Sequence, residues 1–222
     1  MTRERVAIAL PTGVLLPGAL RLLGRSRIAR LSATLLGRQL LVDRPAVRVI
    51  LVRPADVPAY VDNGAADLGI VGKDVLWESP GAHYELVDLR FGGCRLVLAV
   101  PAASKLGGPD SWPPLLRVAT KYPRTTASWF EARGQAVEVV QLHGSVELAP
   151  QVGLVDGIVD LTASGRTLHE NKLRVAAVLG TSTARLIANQ ASMKTRTAAV
   201  QSMVGRLRAA ADQPVGRAAP AS

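Results

Sequence analysis

An apolar run that ends in an acid and is followed by a turn rich in hydroxyls and glycine is the segment best suited to chemistry. Asp160 ends the run, and Thr162-Ala163-Ser164-Gly165-Arg166-Thr167 follows it. Gly165 lets the backbone approach a phosphate, Ser164 and Thr167 can donate hydrogen bonds, and N–H groups at a helix start favour an anion. Asp160, at the carboxyl end of a strand, suits ribose hydroxyls. The segment predicts a site for a phosphorylated sugar, although an ordinary N-capped helix after a buried strand fits the same residues equally well.

Short apolar runs alternate with helix-like stretches along most of the chain, and they predict the elements that position this segment. Such alternation is typical of a parallel sheet, so an α/β fold is expected. The expected strands are Arg5–Leu10, Val47–Val52, Leu68–Val71, Glu85–Leu89, Arg95–Val100, Leu116–Thr120, Val137–Leu142, Gly157–Leu161, Val175–Leu179 and Ala184–Ala188. The expected helices are Val14–Leu23, Val57–Asn63, Thr125–Arg133, Glu147–Val152 and Thr195–Ala211.

Two stretches have a composition that regular elements rarely have. Pro101–Pro114 is rich in turn residues and follows a strand that ends in Ala-Val-Pro. This indicates either a passage between two lobes or the edge of one lobe. Gln213–Ser222 is rich in proline, alanine and glycine, which predicts a frayed tail.

Composition excludes several classes of protein. The 222 residues are enough for one large domain or two small lobes. A hydrophobic content of 48% with 20% charged residues excludes a disordered chain. The lone Cys94 excludes an intramolecular disulfide framework and fits a reducing compartment. With His83, His143 and His169 dispersed, it cannot build a zinc centre, so no metal site made by the protein alone is expected.

The formal net charge of +10 suggests nucleic-acid binding, but its distribution argues against that function. The densest basic group, residues 21–30, lies in and just after an amphipathic helix, and eight aromatic residues are too few for a base-stacking platform. The N-terminal apolar run Val6–Leu10 is cut by Pro11, so it indicates a strand rather than a signal peptide. No run approaches the ~18 residues that span a bilayer. We expect a cytoplasmic protein that binds neither nucleic acid nor membrane.

The segment around Asp160 is part of a longer pattern. It runs Glu147-x5-Gly153-x-Val155-x2-Ile158-x-Asp160-Leu161-x2-Ser164-Gly165-x-Thr167-Leu168 and resembles the signature of the ATP phosphoribosyltransferases, the first enzymes of histidine biosynthesis. Four further blocks resemble the same family in the same order: Arg53–Leu76, Phe91–Leu96, Val118–Pro123 and Ser182–Asn189. Together they cover most of the chain.

The resemblance implies a reaction in which N1 of the ATP adenine joins C1′ of 5-phosphoribosyl 1-diphosphate and diphosphate leaves. This reaction needs a cradle for the 5′-phosphate, acids or Mg²⁺ for the ribose hydroxyls, cations for the leaving diphosphate, and an oriented adenine. It needs no protein nucleophile. The implied cofactor is Mg²⁺, bound mainly through the diphosphate of the substrate.

The same resemblance implies roles for individual residues. Asp160 would face the ribose, Arg53 the nucleotide and diphosphate, and Arg38 would reach across a dimer interface. A surface arginine fits the position of Arg53 too, the role of Arg38 stays open, and Lys73 with Asp74 suits either a phosphate contact or a helix cap. The full set of implied substrate contacts is Gly13, Lys73, Asp74, Arg95, Thr120, Tyr122, Glu147, Asp156, Thr162, Ala163, Ser164, Gly165, Arg166 and Thr167.

One departure from the family pattern supports a second hypothesis. The first strand of the family usually ends in Leu-Pro-Lys-Gly-Arg-Leu, and Thr12 and Val14 stand here where that pattern has cations. Charge-assisted hydrogen bonds contribute about 1.5–3 kcal/mol each, so the loss weakens binding of a polyanion. The alternative function is therefore a non-catalytic relative that binds a phosphorylated ligand.

Because only a helix and a tail follow Asn189, the chain resembles the short form of the family. That form implies two α/β lobes like those of type II periplasmic binding proteins, with the active cleft between them. Lobe I would comprise residues 1–96 with a return segment, 180–211; lobe II, 97–179, would carry the phosphoribosyl-diphosphate loop, and 212–222 would be a flexible tail. The short form works with a separate regulatory subunit related to histidyl-tRNA synthetases, so a homodimer within a hetero-oligomer is expected.

Overall fold

The described residues form two β-sheets, one in each of two units of the chain. The computed structural model describes residues 5–106 and 112–213. The first unit comprises the chain up to Gly92 together with the part from Thr183 onward, and the second unit comprises Gly93–Ser182. In both units, sheets and helices combine in an α/β architecture.

The first unit has a six-stranded sheet in the order β2-β3-β1-β4-β11-β5. Strand β1 is parallel to β3 and β4, whereas β2 and β11 run antiparallel to their neighbours. The strands are β1 (Val6–Pro11), β2 (Leu41–Asp43), β3 (Val47–Val52), β4 (Leu68–Gly72), β5 (Tyr84–Asp88) and β11 (Ala184–Ala188), and the helices are α1 (Leu16–Arg25), α2 (Ala33–Leu36), α3 (Val57–Asp62), α4 (Lys73–Glu78), α7 (Gln190–Thr195) and α8 (Thr197–Asp212).

The central strand β1 is buried on both faces, which explains its continuous apolar sequence. Ile8 and Leu10 belong to a core cluster that includes residues of α1 and α8. Ala9 points to the other face and packs with Val57 and Val61 of α3, as the alternation of side chains along a strand requires.

The second unit has a five-stranded sheet in the order β10-β6-β9-β7-β8. Strand β7 is parallel to β8 and β9, and β6 runs antiparallel to both β9 and β10. Its elements are β6 (Cys94–Pro101), β7 (Leu115–Thr120), α5 (Pro123–Glu131), β8 (Ala136–Gln141), β9 (Gly157–Thr162), α6 (Arg166–Glu170) and β10 (Leu173–Ser182). The parallel trio β8, β7 and β9 therefore has its carboxyl ends at one edge of the sheet.

The α/β class predicted from the sequence is confirmed, and both sheets combine parallel with antiparallel pairs. The lobe boundaries expected at 96/97 and 179/180 fall inside β6 and β10. These two strands pair with each other over their length, so the division lies beyond their ends, at Gly92/Gly93 and Ser182/Thr183.

One predicted helix is absent for local reasons, and one helix near the C-terminal end was not predicted. Glu147–Val152 is not a helix: a single 3₁₀ turn, Val146–Leu148, is followed by irregular turns, because Pro150 has no N–H to donate and Gly153 has a φ of +71°. The expected final helix, Thr195–Ala211, is present as α8 (Thr197–Asp212). The preceding α7 was not predicted, and it is separated from α8 by Arg196, which has φ −121°. Its guanidinium donates to Asp67 Oδ2 at 2.6 Å and to the Arg5 carbonyl at 2.7 Å.

The turn-rich stretch Pro101–Pro114 follows β6 and precedes β7, and both strands belong to the second unit, so it does not connect the two units. Arg174 donates hydrogen bonds to the carbonyls of Ser104 and Leu106 at 2.9 and 2.6 Å. Residues 107–111, and nearly all of the tail predicted at 212–222, lie outside the described residues. None of the helices in the described ranges is both long and apolar enough to cross a membrane.

Candidate active site

The carboxyl ends of β7, β8 and β9 bring three turns to the same edge of the second sheet. Thr120, at the end of β7, is the register partner of both Val159 in β9 and Gln141 in β8. The chain then continues into Lys121 after β7 and into Ser145 after β8. Ligands of α/β proteins bind at such an edge, so these turns define the candidate active site.

Side-chain hydrogen bonds fix the turn that follows β9. The Asp160 carboxylate accepts the N–H of Leu161 at 2.8 Å, and the Thr162 hydroxyl accepts the N–H of Gly165 at 2.8 Å. Gly165 has a φ of +79° and open space where a Cβ would stand. Its conformation, rather than crowding, therefore requires glycine. Thr162 takes the Gly165 N–H, and the Ser164 hydroxyl accepts the Arg166 N–H at 3.4 Å. The amides in the first turn of α6 that remain for an anion therefore begin at Thr167.

Asp160 is an acid whose pKa is shifted by its surroundings. Burial raises the pKa of its carboxyl above the ordinary value, against the effect of the Leu161 N–H and the positive charge of Lys121, and Glu147 raises it further. Two carboxylates and an ammonium group therefore lie close enough to influence one another. Such perturbed acids are typical of functional sites.

A pocket of about 390 Å³ lies at this edge, within the second unit. It is lined by Lys121, Ser145, Glu147, Ile158, Asp160, Leu161, Thr162, Ala163, Ser164, Arg166, Thr167 and Leu168. Carboxylates, hydroxyls and cations therefore meet in one concave site, with Ile158 and Leu168 buried beneath them. Glu147, Thr162, Ala163, Ser164, Arg166 and Thr167 all lie where the sequence predicted substrate contacts.

Lys121 and Ser145 line the pocket, although neither belonged to the predicted set of contacts. The signal was present for Lys121, because it directly follows a strand that is parallel to β9. Ser145 adopts the left-handed conformation, with a φ of +47°. Nothing in the local sequence indicates that conformation at a serine.

Besides Arg95 and Gly165, three predicted contacts of the second unit are not among the residues that line this pocket. Asp156 precedes β9, at the opposite end of the strand, and its carboxylate accepts the N–H of Arg117 at 2.8 Å. Thr120 is fully buried; its hydroxyl donates to the Val159 carbonyl at 2.7 Å and accepts the Tyr122 N–H at 2.9 Å. Tyr122 is the N-cap residue of α5. These residues shape the frame of the site.

Arg95 lies beside the pocket without lining it. It is the cross-strand partner of Thr162 in the pairing of β6 with β9, and its side chain is exposed. Arg95 is therefore placed to reach a ligand that extends past the end of β9.

The first unit presents further predicted residues at the carboxyl edge of its own parallel strands. Pro11 of β1 and Val52 of β3 are register partners, and the Thr12 N–H donates to the Val52 carbonyl at 2.8 Å. Gly13, with a φ of +76°, and Arg53 therefore follow neighbouring strand ends, and both are exposed.

Lys73 and Asp74 begin α4 after β4, and both contribute to local structure. The Lys73 ammonium forms a salt bridge with Glu85 at 2.5 Å. The backbone N–H of Lys73 donates to the Thr183 carbonyl at 3.0 Å. Asp74 is buried in the first turn of the helix. The N-cap residue of α4 is Gly72, which makes no side-chain cap hydrogen bond, so the phosphate contact of Lys73 and Asp74 stays a prediction. Arg38 is exposed after α2.

The described residues contain no group of three or more His, Cys, Asp or Glu side chains that could hold a metal ion. The pocket does supply two carboxylates, Asp160 and Glu147. Mg²⁺ takes one or two carboxylates together with substrate phosphates and waters. The residues present therefore fit a Mg²⁺ ion whose remaining ligands come from a phosphorylated substrate.

The two-unit α/β architecture is that of periplasmic binding proteins. The alkanesulfonate-binding protein SsuA from Xanthomonas axonopodis pv. citri superposes with a TM-score of 0.59 at 16% identity, over 95% of this chain and 74% of that protein. At this identity the likeness shows the fold, and the function needs closer relatives.

Closer relatives identify the family. The family model HisG: ATP phosphoribosyltransferase matches residues 53–209. The ATP phosphoribosyltransferase of Moorella thermoacetica is 46% identical over 96% of both chains, and that of Rubrobacter xylanophilus is 48% identical over 89% of this chain and 92% of its own. The HisG:HisZ complex of Thermotoga maritima contains a chain with TM-score 0.77 and 32% identity, covering 93% of this chain and 98% of that one. The chain belongs to the ATP phosphoribosyltransferase family, which is a family of transferases.

Proposed function

We propose that the chain catalyses the first step of histidine biosynthesis, the transfer of a 5-phosphoribosyl group from 5-phosphoribosyl 1-diphosphate to N1 of ATP. The observation that carries the proposal is the pocket at the carboxyl edge of the second sheet. There, an acid with a raised pKa and the hydroxyl side chains of Ser164 and Thr167, on either side of the left-handed Gly165, line one site in a member of this family.

We propose a role for the main polar residues of the pocket. The hydroxyls of Ser164 and Thr167, with the N–H groups at the start of α6, bind the 5′-phosphate. The ionised Asp160 accepts hydrogen bonds from the ribose hydroxyls, and Glu147 lies on the same side of the pocket. The ribose is thus held at two points, which orients its anomeric carbon.

The reaction needs no covalent intermediate with the protein. The N1 lone pair of adenine forms a bond to C1′ while the bond from C1′ to the diphosphate oxygen breaks. The electron pair leaves with the diphosphate, and the adenine loses a proton from its exocyclic amino group. The protein contributes by positioning the reactants and by stabilising the charge that grows on the leaving group.

Mg²⁺ is proposed as the cofactor, bound mainly through the diphosphate of the substrate. When bound, it neutralises phosphate charge. Asp160 and Glu147 are the carboxylates of the pocket that can face it. The exposed Arg53 and Gly13 of the first unit are proposed to contact the nucleotide and diphosphate, and Arg38 to act across the interface of a homodimer.

The proposed partner is a separate regulatory subunit. The structure from Thermotoga maritima is a complex of HisG with HisZ, and its HisG-like chain matches almost the full length of this one. We propose that this chain likewise forms a homodimer within a hetero-oligomer with a subunit related to histidyl-tRNA synthetases, and that it acts in the cytoplasm.

Formation of phosphoribosyl-ATP by the purified chain tests the proposal. The assay contains ATP, 5-phosphoribosyl 1-diphosphate and Mg²⁺, with and without the regulatory subunit, and product is identified by mass. Product in either assay supports the function.

A non-catalytic binding protein remains the second candidate because of the turn after β1. Val14 is 93% exposed there, and neither it nor Thr12 supplies a cation. Calorimetric binding of both substrates without product, even with the partner present, would favour this alternative.

A further inference from the structure

We propose that Lys121 binds the diphosphate of the phosphoribosyl substrate, as the cation that the second unit supplies to the leaving group. The inference rests on the proposed function, because it assigns a ligand group within the same pocket. Three features support it: the position of the turn after β7, the charges around Lys121, and the order of polar groups along the carboxyl ends of β7 and β9.

The backbone on which Lys121 stands is fixed on both sides. Thr120, the preceding residue, is fully buried and donates its hydroxyl to the Val159 carbonyl at 2.7 Å. The same hydroxyl accepts the N–H of Tyr122, the following residue, at 2.9 Å. The turn is therefore attached to β9 one residue before Asp160, since Thr120 and Val159 are register partners. Neighbouring strands lie ~4.8 Å apart, which places Lys121 beside Asp160.

The charge of Lys121 is available to a ligand. Of the described lining residues, Lys121 and Arg166 are basic. Arg166 is 83% exposed and pairs with Glu170 at 2.7 Å, on its own helix. Lys121, by contrast, takes part in no salt bridge or hydrogen bond within residues 5–106 and 112–213, although its charge acts on the Asp160 carboxyl. Because the Lys121 ammonium forms no ion pair in the described residues, it can attract an anionic group of a bound ligand.

The order of groups along the edge selects the diphosphate over the 5′-phosphate. The glycine turn lies beyond Asp160 in the direction of β9, whereas Lys121 lies across from Asp160 on the neighbouring strand. In the substrate, the 5′-phosphate and the C1′ substituent leave the ribose ring at opposite ends. When the ribose hydroxyls meet Asp160 and the 5′-phosphate meets the glycine turn, the 1-diphosphate extends toward Lys121.

Calorimetric titration of the full chain with two probes tests this inference. The probes are inorganic diphosphate with Mg²⁺, and ribose 5-phosphate. A single charge-assisted hydrogen bond corresponds to about tenfold to hundredfold in affinity. We expect Lys121→Met to weaken diphosphate binding at least about tenfold and to leave ribose 5-phosphate binding within about twofold. Lys121→Arg keeps most of the affinity for diphosphate. The matched control Lys105→Met removes the same charge from an exposed loop of the same unit and changes neither affinity.

Steady-state kinetics provide the second measurement. Lys121→Met raises KM for 5-phosphoribosyl 1-diphosphate and lowers kcat, with KM for ATP unchanged. Unchanged diphosphate affinity in Lys121→Met, an equal loss for both probes, or wild-type protein that binds no diphosphate overturns the inference. A chain that binds ribose 5-phosphate and forms product, but shows no effect of Lys121→Met, leaves the proposed function intact. A chain that binds neither probe and forms no product refutes both.

Discussion

The carboxyl edges of the two sheets differ in how firmly they hold their polar groups. In the second unit, hydrogen bonds within the chain fix Asp160, Thr162 and the Lys121 turn before any ligand binds. In the first unit, Gly13 and Arg53 are exposed at the strand ends. The contrast indicates that a site for a sugar phosphate can be preorganised. Its polar groups lose their conformational freedom when the chain folds, so that cost is not added when the ligand binds.

The largest effect is expected at Asp160. Asp160→Asn removes the carboxylate that accepts the ribose hydroxyls, and we expect kcat/KM for 5-phosphoribosyl 1-diphosphate to fall about a hundredfold, since charge-assisted bonds are the strong ones. Because burial disfavours the charged carboxylate, the variant should unfold at the same or a higher temperature. Activity assays with thermal melts check both effects.

Asp156→Asn is the matched control for that substitution. Its carboxylate holds the Arg117 N–H at the far end of β9, so we expect activity within about threefold of wild type and a loss of about 1–3 kcal/mol in unfolding free energy. A catalytic loss as large as that of Asp160→Asn would show that both acids serve the ribose.

The next largest effect is expected from Gly165→Val. A β-branched residue at φ +79° is strained, so the turn rearranges and kcat/KM falls at least about tenfold with the overall fold retained. Gly134→Val imposes a similar strain at φ +66° in a turn that does not line the pocket. Equal activity of the two variants would show that the Gly165 turn binds no phosphate.

The pH dependence of kcat/KM follows from the raised pKa of Asp160. The ionised form binds the ribose hydroxyls, so activity falls as the pH decreases through that raised pKa, by about tenfold per pH unit below it. The acid limb should therefore begin at a higher pH than an ordinary aspartate would give. Asp160→Asn should have a flat profile over the same range, and a persisting limb would assign it to another group.

A smaller effect is expected at the less fixed edge. Arg53→Ala removes an exposed guanidinium next to the end of β3, and we expect kcat/KM to fall about fivefold to tenfold, the low end for a charge-assisted bond. Arg30→Ala, also exposed in the first unit, is the control and should have wild-type kinetics. Equal kcat/KM for the two variants would indicate that Arg53 is a surface arginine that does not contact the substrate.

The smallest effect is expected at Lys73. Because its ammonium already pairs with Glu85, Lys73→Gln should change kcat/KM less than about threefold and the unfolding free energy by about 1 kcal/mol or less. Glu85→Gln and the double variant complete a double-mutant cycle. A catalytic loss in Lys73→Gln that Glu85→Gln does not share would assign Lys73 to the ligand.

Local sequence signals were sufficient for the strands and for the glycine turn. Alternating apolar runs located ten of the strands, and the Asp160-to-Thr167 segment indicated its own pocket, because its residues are consecutive and their chemistry does not depend on distant contacts. The three-residue strand β2 and the four-residue helix α2 went undetected, since elements this short carry no periodicity.

The predicted contacts that lie outside the pocket lining share a physical reason. Asp156 and Thr120 have the chemistry of ligand contacts, but their partners are backbone groups of other strands, 39 positions away in each case. The boundary between α7 and α8 at Arg196 likewise involves Asp67, 129 positions earlier. Local patterns do not contain such pairings.

The sequence by itself determined the α/β class, the family resemblance and the turn around Gly165, because each depends on residues that are neighbours in the chain. The tertiary structure decided that β6 and β10 belong wholly to the second unit, that Asp156 faces away from the pocket, and that Lys121 stands beside Asp160. Those outcomes follow from strand register, which joins residues that are far apart in sequence and sets which side chains share an edge.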